Sequence, residues 1–206
     1  DLFVVLLSFF ALVAGLYTVW KTVSIASVWV PVSMLVLGII IPITYNSFVK
    51  KRPLSETGIS KKHWLRSLVL GLILAIAFLS APAPTGTSLI GAVTALTLTE
   101  LLPLLALEIT AGLFWTIFFF GWVQMRFERA FGAIPAIIIA AAFFALHHVA
   151  YGEPVSFLFM GHFVGGLIHA VIFRTTRNIF ILWPFFVPTT GLSYELGWGL
   201  RLPFEA

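Results

Sequence analysis

The chain has 206 residues, of which 60% are hydrophobic and only 10% are charged, with a mean hydropathy of +1.07. Soluble domains carry about a quarter charged residues, so this composition excludes an ordinary soluble enzyme and indicates a polytopic membrane protein. Cysteine is absent, which excludes disulfides and thiolate sites and leaves histidine and carboxylates as metal ligands. The net charge of +4 is typical of membrane topology, and we expect no nucleic-acid partner.

Two apolar spans open the chain. Leu2 to Trp20 is uncharged and long enough to cross a hydrocarbon core of about 30 Å at about 1.5 Å per residue. Thr22 to Val49 predicts a second span with kinks at Pro31 and Pro42, because each proline frees a carbonyl that a neighbouring helix must satisfy.

Polarity returns between Lys50 and Arg66, in the segment KKRPLSETGISKKHWLR, which holds six of the twelve lysines and arginines. The segment is too polar to enter lipid, and it predicts a loop with a short interfacial helix starting near Ser60. A solvated loop that contacts anionic headgroups explains these charges fully.

The next stretch is too long for one crossing. A single helix from residue 88 to residue 124 would measure about 55 Å, nearly twice the core thickness. We expect a break near Glu100 and Pro103. The predicted pieces are a third span, Ser67 to Ser80, a proline- and glycine-rich closing segment, Ala81 to Thr87, an interfacial or re-entrant piece, Ser88 to Thr99, and a fourth span, Pro103 to Gln124.

Three further spans complete the prediction: Ala133 to Tyr151, Val155 to Phe173, and Ile179 to about Tyr194. The chain is therefore predicted as one all-α domain, residues 1–206, a transmembrane helical bundle of seven spans, or eight if the long stretch crosses twice. With seven spans, ten of the twelve basic residues face one side, which the positive-inside rule makes cytoplasmic. We expect an integral protein of the cell (inner) membrane with a cytoplasmic Lys50 to Arg66 loop and an interfacial tail, Gly197 to Ala206.

The stretch from Phe114 to His148 organises the chain, because two apolar spans flank a short charged turn and the second ends in paired histidines. It resembles the core of the CPBP family, the intramembrane glutamate metalloproteases that include CAAX prenyl endopeptidases and bacteriocin-processing or immunity proteins. That family reads EExxxRG, a basic turn, FxxxH, and a histidine near the last span. The resemblance is strongest over 114–148 and weaker over 52–192, where RPLSETGI is similar to the lead-in before the family's third span.

The resemblance implies that most of the family's catalytic residues are replaced in this chain. When Gly121 is set on the family's glycine, Trp115 and Thr116 take the places of the two glutamates, and Phe120 takes that of the arginine. Of the catalytic residues considered so far, His148 alone is identical to the family's, as the histidine of FxxxH.

The final histidine of the family falls near Pro184 to Thr190, where Val187 or Pro188 replaces it. A protease of this kind needs a glutamate to take the proton of a water molecule and a metal to polarise the scissile carbonyl. The residues at the family's catalytic positions therefore favour a non-catalytic homologue, a pseudoenzyme, for which we expect no cofactor.

Five ionisable residues are nevertheless predicted inside the membrane, where such groups are costly and indicate function: Glu108, His147, His148, His162 and His169. Counted from the basic turns, Glu108, His148 and His162 lie about 27, 24 and 18 Å from the cytoplasmic end, so they share the outer half of the bundle. One interpretation has neutral histidines bonded to a carbonyl or hydroxyl of the next helix, with Glu108 protonated or paired.

The alternative is a displaced metal site, for zinc, drawn from Glu108, His148 and His162, or a ligand held by imidazole. His162 and His169 share a helix face, but two turns separate them by about 10 Å, which is too far for one ion.

Two segments predict contacts with partners. The aromatic residues from Trp115 to Trp122 cover most of a helix circumference and are expected to meet lipid, a partner helix or an apolar ligand. The GxxxG spacing of Gly161 and Gly165 permits close helix contact. We therefore expect the bilayer and other integral membrane chains as partners. Two hypotheses remain: a non-catalytic CPBP-like protein that binds or scaffolds a membrane component, and an intramembrane metal-dependent endopeptidase with a rearranged Glu/His site.

Overall fold

The computed structural model describes residues 1–22, 32–80, 89–152 and 158–191, and within these ranges the chain forms helices and turns but no strand. The all-α prediction is thus confirmed for the described residues. Eight helices and one 3-10 turn, Leu54–Thr57, occur in these ranges. The helices are α1 Leu2–Thr22, α2 Met34–Val49, α3 Trp64–Ser80, α4 Leu89–Thr94, α5 Leu98–Phe131, α6 Ala133–Leu146 with its 3-10 extension His147–Tyr151, α7 Leu158–Phe163 and Val164–Thr176, and α8 Ile179–Phe186 and Val187–Gly191.

Two of the described helices, Leu98–Phe131 and Ala133–Ala150, are long and apolar enough to cross a membrane, and four shorter apolar helices accompany them. The outward surfaces of the bundle are also apolar, since Phe3, Phe10 and Ile134 are between 64% and 75% exposed. Exposed apolar side chains of this size suit contact with lipid rather than water.

Several predicted boundaries need correction. Helix α1 continues past Lys21 to Thr22, where the second span was expected to begin. No interfacial helix begins near Ser60; the chain instead turns at His63, whose φ is 57°, and α3 begins at Trp64. Some predictions fall outside the described residues: the kink at Pro31, the Ala81 to Thr87 segment, the sixth-span start at Val155, the last span beyond Gly191, and the Gly197 to Ala206 tail.

The expected break in the long stretch exists, but it lies upstream of its predicted position. Helix α4 ends at Thr94, and α5 then runs without interruption from Leu98 to Phe131, with Pro103 inside it. The carboxylate of Glu100 accepts hydrogen bonds from the Thr97 backbone N–H at 2.9 Å and from its hydroxyl at 2.7 Å. This T-x-x-E pattern of a capping box starts the helix, so Glu100 begins α5 rather than ending a piece before it.

Helix α5 lies at the centre of the bundle, where its middle segment packs against α2, α6, α7, α8 and the 3-10 turn. That segment, Thr116–Gln124, has π-helical geometry, and all nine of its residues are buried. Of the contacts expected for the aromatic stretch, lipid, a partner helix or an apolar ligand, the structure shows packing of residues 116–124 against the chain's own helices. A helix that is apolar all round is a central helix, and here the chain's own helices surround it.

The polar loop after α2 meets the C-terminal part of α5 at one end of the bundle. Arg126 is 3% exposed and donates to Asn46 Oδ1 at 2.5 Å and to the backbone carbonyl of Glu56. Its guanidinium also lies 4.2 Å from the centre of the Trp122 ring, within cation–π range. A single buried arginine thus joins α2, the loop and α5.

The α7–α8 turn reaches the same end. Asn178 begins α8 and donates through Nδ2 to the carbonyl of Ser60 at 2.8 Å. Arg129 bonds the Glu56 carboxylate at 2.8 Å and, together with the charges of Arg52 and Arg126, holds the pKa of Glu56 below its ordinary value. The structure therefore gathers the polar connections that the sequence places on one side.

Candidate functional site

The residue in the place of the family's first glutamate is bound to a histidine. Trp115 Nε1 donates to Nε2 of His147 at 3.1 Å, while Nδ1 of the same ring is hydrogen-bonded to the carbonyl of Phe144. A carbonyl only accepts, so Nδ1 carries the proton, and Nε2 carries none because it accepts from the indole. His147 is thus held neutral, and the indole occupies the lone pair with which Nε2 would bind a metal.

Two of the three candidate metal ligands lie together. The rings of His148 and His162 stack with their centroids 3.4 Å apart and their planes 11° apart. His148 also bonds through Nδ1 to the Phe144 carbonyl at 3.0 Å, so a metal would have to reach it through Nε2. The sequence predicts that Glu108, His148 and His162 share the outer half of the bundle, and the structure brings the two histidines of this set into contact.

Glu108, the third candidate, is buried in α5 two helical turns before Trp115. Within the described ranges, no group of three or more histidine, aspartate or glutamate side chains is placed to hold a metal ion. The structure therefore does not assemble Glu108, His148 and His162 into a three-ligand set there.

The other two replaced positions are also occupied by packing or local bonds. The Thr116 hydroxyl donates to the carbonyl of Gly112, one turn earlier in the same helix. Phe120 is fully buried, with its ring centre 5.7 Å from that of Phe186 and 6.3 Å from that of His169. An aromatic ring therefore fills the place in which the family carries a guanidinium.

His169 marks the region in which the family's final histidine is expected. Its Nδ1 lies 2.6 Å from the carbonyl of Gly165, and its Nε2 lies 3.0 Å from the hydroxyl oxygen of Thr189. Its ring stacks on Phe186 at 4.1 Å. Thr189 follows directly after Val187 and Pro188, but threonine hydroxyls usually bond their own helix, so no sequence signal singles it out.

The carbonyls that bond the histidines lie on a different helix from the one predicted, which was the next helix. The carbonyls that bond His147, His148 and His169 belong to the same helix as each ring, three or four residues earlier. The Thr189 contact of His169 is a bond to a hydroxyl of the next helix, as predicted. These local bonds orient the rings without requiring any ligand.

The donor set at the family's catalytic positions does not fit the family's metal. An indole N–H only donates, a phenyl ring offers no lone pair, and the Thr116 hydroxyl is already bonded within its helix. Catalytic zinc sites use three protein ligands and a water molecule, whereas His148 is the only imidazole at these positions. The four positions therefore supply neither a ligand set for zinc nor a carboxylate to deprotonate water.

Gly121, which aligns with the family's glycine, and two polar residues that follow it in α5 have structural roles. A Cβ atom added to Gly121 would lie closer than 3.0 Å to the carbonyl oxygen of Thr57, because the backbone of the 3-10 turn passes directly over α5. Gln124 Nε2 donates to the Ala170 carbonyl at 3.0 Å, and Glu128 pairs with Arg174 at 2.7 Å. Glycine, glutamine and the basic turn therefore hold α5 to the loop and to α7.

Comparison with known families supports the resemblance to the CPBP family. Residues 96–187 match the model of the family described as Rce1-like, type II CAAX prenyl endopeptidase. Neither curated proteins nor solved structures gave a significant match to the chain. The match covers α5, α6, α7 and most of α8, and it includes the five aligned positions Trp115, Thr116, Phe120, Gly121 and His148. The resemblance seen in the Phe114 to His148 stretch is thus confirmed: residues 96–187, somewhat less than half of the chain, form an Rce1-like domain of the CPBP family.

Proposed function

We propose that this protein is a non-catalytic Rce1-like homologue that acts as a binding or scaffolding subunit of a larger membrane assembly. The observation that carries the proposal is the state of the catalytic positions. Phe120 is fully buried, Trp115 is half-buried against the core, and the Trp115 indole donates to the imidazole of His147. Such side chains pack helices together, and the positions of the family's two glutamates then hold no carboxylate to deprotonate water.

A metal-dependent endopeptidase with a rearranged Glu/His site is the second candidate, and the stacked pair of His148 and His162 is the observation in its favour. The pair supplies two ligands at most. A catalytic zinc site requires three protein ligands, so this reading needs a further ligand beside the pair, and we favour the non-catalytic function.

The outward face of α7 suits a partner helix. An added Cβ at Gly165 meets no atom within 4 Å, and the neighbouring Val164, Ile168 and Val171 are exposed. In lipid, helices associate through close backbone approach and interhelical hydrogen bonds rather than through hydrophobicity. With the aromatic stretch of α5 buried, this face is the part of the expected partner surface that remains accessible.

Purification from the native membrane in a mild detergent tests the subunit role. We expect a companion membrane chain to co-migrate with the wild type and to be lost from Gly165→Leu, because a leucine prevents close approach at this face. Ile134→Phe, which adds similar bulk to an exposed position of α6, is the matched control and should keep the companion. A homogeneous monomer without any companion protein would contradict the proposal.

We also propose seven membrane crossings in the cell (inner) membrane, with the Lys50 to Arg66 loop in the cytoplasm. The polar contacts support this arrangement, because the end of α2, the end of α5 and the α7–α8 turn meet at the same end of the bundle, while ten of the twelve basic residues fall on these connections. Single cysteines at Ser60 and Gly152 should react with a membrane-impermeant reagent from opposite sides. Labelling of both from the same side would end this topology.

A further inference from the structure

The charges at the polar end fall into two groups. In the first group, carboxylates and cations pair with each other. Asp1 pairs with Arg52 at 2.5 Å and with Lys50 at 3.8 Å, Glu56 pairs with Arg129, and Glu128 pairs with Arg174 and Arg177. The three carboxylates described at this end are therefore already neutralised by neighbouring basic side chains.

Four exposed cations form no ion pair with any described residue: Lys51, which follows α2, and the three that make up the second group, Lys61, Lys62 and Arg66. These three lie within six residues of one another, around the start of α3. Between them, Trp64 and Leu65 are 45% and 57% exposed. Trp64 is held in place by an edge-on contact with Phe180, with ring centres 6.2 Å apart.

An exposed apolar face continues from these cations along α3. Leu65, Val69, Leu72, Ile73 and Ile76 are between 45% and 60% exposed, and their spacing of three or four residues places them on one side of the helix. The surface thus combines a cluster of uncompensated cations, an aromatic ring at its border and an apolar face below. These three parts match an anionic headgroup, its glycerol region and its acyl chains.

We propose that Lys61, Lys62 and Arg66 form, with Trp64 and the outward face of α3, a binding site for an anionic phospholipid. The apolar face favours a lipid over an acidic protein segment, because a protein partner of the cations alone would leave that face without a role. The site does not depend on the proposed absence of catalysis, since it lies outside the Rce1-like domain, before residue 96.

Native mass spectrometry of the full chain in a neutral detergent tests the site, with added phosphatidylglycerol or phosphatidylcholine of identical acyl chains. We expect phosphatidylglycerol to bind with clearly higher occupancy. Because one basic side chain near a membrane surface is worth about a five-fold change in affinity, Lys61→Gln/Lys62→Gln should weaken phosphatidylglycerol binding by about an order of magnitude or more and leave phosphatidylcholine unchanged. Higher salt should weaken the wild type in the same selective way.

Lys50→Gln/Arg129→Gln is the matched control, because it removes two cations from the same end that are already paired with carboxylates. It should retain most of the phosphatidylglycerol binding. Equal losses in both double variants would show that only the summed charge of this end attracts the lipid, and would overturn the site. Equal binding of the two lipids, or displacement of phosphatidylglycerol by a polyglutamate peptide at similar concentration, would also overturn it, the latter in favour of an acidic protein partner.

Discussion

Gly121→Ala is expected to destabilise the protein by about 3 kcal/mol, the upper part of the range for overpacked interiors. The added Cβ would lie closer than 3.0 Å to the carbonyl oxygen of Thr57. Backbone atoms cannot rotate away as a flexible side chain can, so either the 3-10 turn must lift from α5 or α5 must shift within a core in which its neighbours are fully buried. Thermal unfolding of the purified protein in detergent measures the loss.

Gly165→Ala is the matched control, because this glycine is also helical but has open space around it. Alanine has the higher helix propensity, so this variant should be unchanged or more stable by up to about 1 kcal/mol. The two glycine-to-alanine changes are thus expected to have opposite signs. Equal unfolding temperatures for the two variants would mean that the loop does not pass over Gly121 as described.

Arg126→Met is expected to cost about 3 kcal/mol or more. The substitution keeps an apolar side chain of similar length but removes the donors to Asn46 Oδ1 and to the Glu56 carbonyl. Buried acceptors that lose their donors cost about 1–3 kcal/mol each. The cation–π contact with Trp122 is lost as well. Because the arginine joins α2, the polar loop and α5, we also expect faster proteolysis of the loop in this variant.

Arg129→Gln provides the comparison at a neighbouring position. Its guanidinium bonds the Glu56 carboxylate at 2.8 Å, but the side chain is 46% exposed. Pairs of this kind contribute about 0–1 kcal/mol. A loss in Arg129→Gln as large as that in Arg126→Met would place the stabilising role in the surface pair rather than in the buried arginine.

The helices can be predicted from the sequence where a single physical cause determines them. Long uncharged runs form helices because a backbone in an apolar environment must satisfy its own hydrogen bonds, and the predicted limits of α6, including its extension to Tyr151, agree with the structure. The break lies before Thr97 and Glu100 rather than at Pro103, because neighbouring helices allow a proline inside a membrane helix. The capping box was the better signal, since it satisfies the free N–H groups at the helix start.

The side of a membrane helix that faces inward was harder to predict. The aromatic residues from Trp115 to Trp122 have the same composition whether they face lipid or other helices, so only packing distinguishes the two cases. Within the site, the proximity of His148 and His162 followed from counting residues along helices. The Trp115–His147 bond joins residues 32 positions apart, and the Thr189 contact of His169 joins two helices. Neither pattern has a local signature in the sequence.

The proposed loss of catalysis depends most on the replacement of the family's catalytic residues by Trp115, Thr116 and Phe120, whose side chains cannot activate water. A cleavage assay measures this directly: the purified chain, supplied with zinc, is incubated with prenylated CAAX-type peptides, alongside His148→Ala. We expect no cleavage above the rate without protein, and no difference between wild type and variant, because Trp115, Thr116 and Phe120 provide no base and no ligand. Metal-dependent cleavage by the wild type that disappears in His148→Ala would contradict the non-catalytic function and establish a rearranged active site.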